Sequence, residues 1–280
     1  MARRGRGGYH SATMKGFLIA AWLVAISVVV TAQLPVPNAG GTSAGHHIFR
    51  VKDVETANRF WTTLGAEPTA LANIKLLKIP GVLLFISGPR GNAPATALPG
   101  NHGTTVEFLT FKVKDLKASL TKWQAAGIEP MQQYKETTLL GPDDVQVRIT
   151  EDRSLTTSIA ADGVIMNVAN AADVSAWYAK WFGAKISRSG TETIGDIPGA
   201  RMVFRETKEA IAPLKGHSLG LLGFEVADIE DFVNRYQATG GKFDGNGTIA
   251  RAQAANLAVI QLTDPWGTSI EVSQGLKAAK

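Results

Sequence analysis

The 280-residue sequence predicts an α+β fold made of four copies of one strand–helix–strands unit, arranged as two similar halves. Three observations carry this. Phe49-Arg50-Val51-Lys52-Asp53 recurs as Phe111-Lys112-Val113-Lys114-Asp115, and the same offset of 62 maps Trp61 to Trp123, Gly65 to Gly127 and Glu67-Pro68 to Glu129-Pro130. A second offset, 113, carries Phe111, Val113 and Asp115 to Phe224, Val226 and Asp228. A third, 118, carries Gly65-Ala66 to Gly183-Ala184 and Ile79-Pro80-Gly81 to Ile197-Pro198-Gly199.

Each unit can be justified in order. In unit one, His46 to Val51 alternates as a short strand, and Asp53 stands where a helix cap belongs. Val54, Ala57, Trp61 and Leu64 follow at helical spacing, and Gly65 ends the helix. Unit two repeats this with Leu116, Leu120 and Trp123 before Gly127. Unit three has Val174, Trp177, Tyr178 and Trp181 before Gly183, and unit four has Ile229, Phe232, Val233 and Tyr236 before Gly240. These aromatics are expected to form the core between helix and sheet. After each helix come β-rich runs such as GVLLFIS, DVQVRIT, ARMVFRE and LAVIQLT, and Asp264-Pro265-Trp266-Gly267 reads as a turn between two of them.

The composition is that of a globular chain: 45% hydrophobic and 19% charged. The absence of Cys excludes a disulfide framework, thiolate-bound metal clusters and a cysteine nucleophile. Any metal site must use His, carboxylates and water. The net charge of +5 owes much to Arg3, Arg4, Arg6 and Lys15, in a segment of 32 residues that holds no Asp or Glu; the remainder is close to neutral. No basic patch of the kind that binds nucleic acid is expected in the folded part. Behind those basic residues, Phe17 to Ala32 is an apolar run with small residues at its end, the pattern of a secretory signal peptide over residues 1–32. The expected location is periplasmic or secreted; an uncleaved leader would instead anchor the chain to the membrane. Residues 33–45 read as a linker, as do residues 153–162 between the halves.

A repeated unit with these landmarks resembles the vicinal oxygen chelate superfamily of glyoxalases, bleomycin-resistance proteins and extradiol dioxygenases. The resemblance rests on a first strand reading His-x-x-x-x-Val-x-Asp, matched by His46 to Asp53, and on a later hairpin, matched by Asp264-Pro265-Trp266-Gly267-Thr268-Ser269-Ile270-Glu271. It implies four βαβββ units in two domains, residues 46–152 and 163–276, with curved mixed sheets and flanking helices. It also implies a cup in which the first residue of strand one and a Glu of the last strand hold a divalent metal, such as Mn, Ni, Zn, Fe or Mg.

Tested position by position, the resemblance is incomplete. Seven residues before each Asp or its equivalent stand His46, Phe108, Gly163 and Leu221, so only the first can ligate through its side chain. Among last strands, unit four supplies Glu271 and unit two supplies Arg148. If the units pair in chain order, His46 and Glu271 lie in different cups. If the outer units pair together, as in some tandem glyoxalases, they face one metal. His217, Glu225 or His47 would then complete the site, and strand alternation makes His47 the poorer candidate because it shares a face with Phe49. The bland alternative for His46 is a strand-entry histidine, and for Glu271 a carboxylate neutralised by a neighbour.

Three readings follow. The first is a metal-dependent lyase or isomerase acting on a small oxygen-rich substrate, with His46, Glu271 and His217 on the metal, Glu225 as base, and Arg50 and Arg148 binding substrate. The second is a metal-free small-molecule-binding protein. The third is a dioxygenase or a non-catalytic scaffold. The expected partner is a small molecule, with no nucleic acid, and the chain is expected to be a monomer or homodimer.

Overall fold

The computed structural model describes residue 1 and residues 34–89, 96–133 and 136–279. The expected signal peptide, residues 1–32, lies outside the described residues apart from Met1. Unit one comprises β1 (Thr42–Arg50), α1 (Val54–Leu64), β2 (Glu67–Leu71), β3 (Ile74–Ile79) and β4 (Val82–Ser87). Unit two comprises β5 (Phe108–Val113), α2 (Leu116–Ala125), β6 (Met131–Gln133), β7 (Glu136–Leu140) and β8 (Gln146–Glu151). Unit three comprises β9 (Ile159–Val168), α3 (Ala171–Phe182), β10 (Lys185–Ser189), β11 (Glu192–Ile197) and β12 (Ala200–Glu206). Unit four comprises β13 (Leu219–Val226), α4 (Ile229–Ala238), β14 (Ala250–Ala252), β15 (Leu257–Thr263) and β16 (Ser269–Gln274). No helix among the described residues is long and apolar enough to cross a membrane.

The predicted caps form. Asp53 Oδ1 accepts from the Glu55 and Thr56 amides at 2.9 and 3.1 Å, and Asp115 and Asp228 each accept from the amide three residues on. In α3 the capping residue is Asn170, and Gly183 closes the helix in the left-handed region at φ 65°. The expected turn after β15 is held by Asp264, whose Oδ1 accepts from the Trp266 and Thr268 amides. Its Oδ2 accepts from the Tyr178 hydroxyl at 3.0 Å, which ties α3 to the β15–β16 hairpin.

Two mixed eight-stranded sheets result. One runs β14-β15-β16-β13-β1-β4-β3-β2 and joins units one and four; the other runs β10-β11-β12-β9-β5-β8-β7-β6 and joins units two and three. The outer units therefore share a sheet, and the inner units share the other. At each centre the two first strands are antiparallel, β1 with β13 and β5 with β9, and each is flanked by its own parallel last strand. Two expected linkers are shorter than the sequence suggested. β1 already begins at Thr42 because Thr42 to Ala44 pair with Phe224 to Val226, and β9 begins at Ile159, paired with Val113.

The helix-bearing faces of both sheets share one continuous core, in which Trp61, Trp123, Tyr178 and Phe232 are fully buried. Trp61 bridges the two sheets, with its ring 5.2 Å from Phe49 on β1 and 5.7 Å from Phe111 on β5. Strand alternation then fixes the other faces. Since Phe49 and Val51 enter this core, His46 and Ile48 lie on the opposite, cup-side face.

Candidate functional site

Each sheet centre brings together four corresponding positions. In the outer sheet, Ile48 pairs with Leu221 and His46 with Gly223 across β1 and β13, while Ile48 neighbours Phe85 on β4 and Gly223 neighbours Glu271 on β16. The near-twofold relation between units one and four thus matches His46 to Leu221 and Phe85 to Glu271. His46 and Glu271 meet, as outer pairing requires. His46 Nε2 lies 2.9 Å from Glu271 Oε1, and the two side chains are 0% and 9% exposed. Glu271 Oε2 accepts from Gln261 Nε2 at 2.8 Å. Burial alone would raise the Glu271 carboxyl, but the His46 hydrogen bond and charge, with Gln261, hold it below its ordinary value. The His46 ring fits because Gly223 lacks a side chain: a Cβ there would lie 2.2 Å from His46 Nδ1.

The metal that the resemblance implies does not fit these residues. Two donors face each other, and the remaining positions of the quartet are the apolar Leu221 and Phe85, the latter with its ring 5.0 Å from the His46 ring. No three His, Asp or Glu side chains converge among the described residues. His217 lies in the loop before β13, where its amide and Nδ1 both face the Leu214 carbonyl at 3.3 Å. Glu225, the expected base, is 2% exposed, and both its oxygens are taken: Oε2 accepts from Ser273 Oγ at 2.8 Å, and Oε1 from the amides of Gly275 and Leu276 at 2.8 and 3.0 Å. Burial pushes its carboxyl up, against the pull of these hydrogen bonds and of nearby His46.

Apolar side chains fill the outer cup around this pair. Leu71, Leu76 and Leu83 from unit one meet Ala255, Leu257 and Leu276 from unit four, with Leu34 and Ala279 packed against them. Arg50, expected to bind substrate, is exposed at the end of β1.

The inner cup differs at every corresponding position. Thr110 pairs with both Gly163 and Arg148, Phe108 pairs with Ile165, and Ile165 neighbours Val203. The quartet is Phe108, Arg148, Gly163 and Val203, and the Arg148 guanidinium stacks 4.0 Å above the Phe108 ring. Lys112, on the same face, pairs with Asp162 at 2.9 Å. Immediately before Phe108 stands a network that no sequence motif announces. Glu107 is nearly buried; its Oε1 lies 2.5 Å from His102 Nδ1, and its Oε2 accepts from the Gly103 amide and from Asn167 Nδ2 at 2.8 and 2.7 Å. Asn167 alternates with core residues Met166 and Val168, so it too faces the cup. The signal available in the sequence was adjacency: Glu107 precedes the position of a family ligand, and Asn167 occupies in β9 the place of Glu225 in β13. The His102 side chain itself remains largely exposed.

His47, on the core side of β1, lines a small cavity of about 30 Å³ between the sheets, beside Val82, Gly199 and Met202. Its Nδ1 is buried without a hydrogen-bond partner. Burial first, and neighbouring His46 second, push its pKa down to about 3, so the ring is neutral at physiological pH.

Two curled mixed sheets with helices packed on their shared faces define a glyoxalase-like fold. Glyoxalase I from Zea mays superposes with a TM-score of 0.64 at 13% identity, over 84% of this chain and 93% of that one. A candidate dioxygenase from Bacillus subtilis superposes with a TM-score of 0.57 at 12% identity, over 87% and 86%. At such identity these likenesses speak for the fold alone. Residues 160–272, which span most of units three and four, match the family model of the Glyoxalase/Bleomycin resistance protein/Dioxygenase superfamily. No curated protein sequence matches the chain. The first half of the chain repeats the same strand–helix–strands unit.

Proposed function

We propose that this chain binds a small anionic or oxygen-rich molecule in the inner cup, without a resident metal. The observation that carries this reading is the stacking of Arg148 on Phe108, at the positions where unit four of the outer sheet holds Glu271 and Leu221. A guanidinium carries five N–H donors on a rigid plane. Paired N–H donors of this kind recognise a carboxylate or two neighbouring oxygens. Half-buried Lys112 and Asn167 add polar groups to the same face.

The metal-dependent lyase or isomerase reading is weakened by ligand count, since His46 and Glu271 face each other and Leu221 and Phe85 complete their quartet. The test is a thermal-shift screen of small carboxylates, phosphates and diols on the wild type and Arg148→Gln, with and without EDTA. A ligand that raises the melting temperature equally with EDTA and loses about tenfold or more in affinity in Arg148→Gln would support the proposal, as expected for a charged hydrogen bond of ~1.5–3 kcal/mol. Stoichiometric metal in purified protein, lost in both His46→Ala and Glu271→Ala, would overturn it in favour of the lyase.

A further inference from the structure

The outer cup is closed by the segment that follows β16, and the manner of closure is that of a bound ligand. After β16 the backbone turns at Gly275, φ 116°, into the single 3₁₀ turn Leu276–Ala278. Two consecutive amides of this turn, Gly275 and Leu276, donate to one oxygen of Glu225. The Leu276 side chain, 1% exposed, enters the apolar cluster lined by Leu71, Leu76, Leu83 and Leu257. The walls come from both outer units, whereas the occupant is a single turn after β16 with no place in the sheet ladder. Removing it would leave an apolar hollow in which the buried Glu225 carboxylate, oriented by Ser273 Oγ, has lost its two amide donors.

We propose that the outer cup is a second ligand site, built for an apolar group carried next to adjacent amide N–H donors, and that the turn Leu276–Ala278 occupies it as a tethered ligand. The chemistry on each side matches. A carboxylate accepts two amide hydrogens more strongly than a neutral acceptor does, and the leucine-lined wall selects an aliphatic side chain. The free ligand class is therefore a short peptide with an aliphatic residue, or an amide of similar shape. A tether presents its own group at roughly millimolar effective concentration, so an external ligand binds only when the turn is out. This inference is independent of the inner-cup reading.

Gly275→Pro removes one donor, and a Cβ at this position would lie 2.1 Å from the Asn256 carbonyl oxygen. It should expel the turn. The probe is acetyl-Gln-Gly-Leu-Lys-Ala-Ala-amide, the sequence of residues 274–279, followed by fluorescence anisotropy and by melting temperature. Gly275→Pro should melt lower than wild type and recover saturably with peptide, whereas wild type should not respond. Adding Glu225→Gln should weaken peptide binding about tenfold or more. The same peptide with its leucine replaced by aspartate should not bind. A folded Gly275→Pro protein that binds no peptide would overturn the proposal. If Gly275→Pro does not fold, Leu276→Ala is measured in the same way. Failure of both to fold would make the turn an obligatory part of the core and would equally overturn it.

Discussion

His46 and Glu271 are separated by 225 positions in the chain, yet Nε2 of one lies 2.9 Å from Oε1 of the other, inside an apolar cup. Only the pairing of the first unit with the last makes this contact possible. In a buried pair of this kind each partner satisfies the other, and removing one side strands the other. His46→Ala and Glu271→Ala should therefore each lower stability by about 3–5 kcal/mol. The joint replacement His46→Leu with Glu271→Met should cost less than either, because no charge is left unpaired. Urea unfolding of the four proteins would check this; single variants within about 1 kcal/mol of wild type would refute the role given to the pair.

Acid should destabilise the fold well above the usual carboxylate range. His47 binds its proton with a pKa of about 3 when folded and 6.5 as a free side chain. Between those values the unfolded chain holds the extra proton, so stability falls as pH falls through that window, by at most ~1.4 kcal/mol per unit. Glu271, lowered in the fold, adds a loss of the same sign as pH drops through the carboxylate range. Glu225 and Asp264 are raised by burial and work in the opposite direction, since the folded chain holds their protons more tightly. His47→Phe should flatten the curve between about pH 6 and pH 4. An unchanged slope would show that His47 is not its source.

Gly223 should tolerate no side chain. Gly223→Ala places a Cβ 2.2 Å from the His46 ring, so either the ring leaves Glu271 or β13 moves away. A loss of about 1–3 kcal/mol is expected from overpacking, more if the pair breaks. The neighbouring Gly220, where an added methyl group would meet no side-chain atom nearer than 3.7 Å, is the control, and Gly220→Ala should be milder.

Chelation should leave the protein as it was. With two facing donors and apolar neighbours at the other quartet positions, wild type should show no melting shift with EDTA and no stoichiometric uptake of Mn²⁺, Ni²⁺ or Zn²⁺ by calorimetry. A shift of several degrees on metal addition, absent in Glu271→Ala, would contradict this.

The repeated units were legible because each encodes its own local signals: the capping Asp or Asn, the aromatic helix face and the closing glycine. Which unit would join which sheet was not, because β1 carries no local mark that selects β13 over β5 or β9. The ligand positions His46 and Glu271 could be found by register, and so could their replacement by Phe108, Gly163, Leu221 and Arg148. Their closure on each other could not, because it depends on β1 lying beside β13, which neither strand marks locally. Phe85 escaped notice since its strand offers no motif, only a place in the ladder beside Ile48. Glu107 was missed because a carboxylate one residue before a strand looks like a solvated edge, and its burial arises from Asn167 and the His102 loop.

The two sheets are nested along the chain like one pair of brackets inside another. Units two and three can close their sheet as soon as β12 leaves the ribosome, whereas β1 must wait for β13, and the outer sheet is complete only when β16 emerges. Until then one flank of β1 offers unpaired backbone to any passing strand. Long-range pairing of this kind slows assembly and exposes the chain to association on the way. The order of synthesis thus makes the inner half-barrel a template, and the first-made unit the last to find its partner.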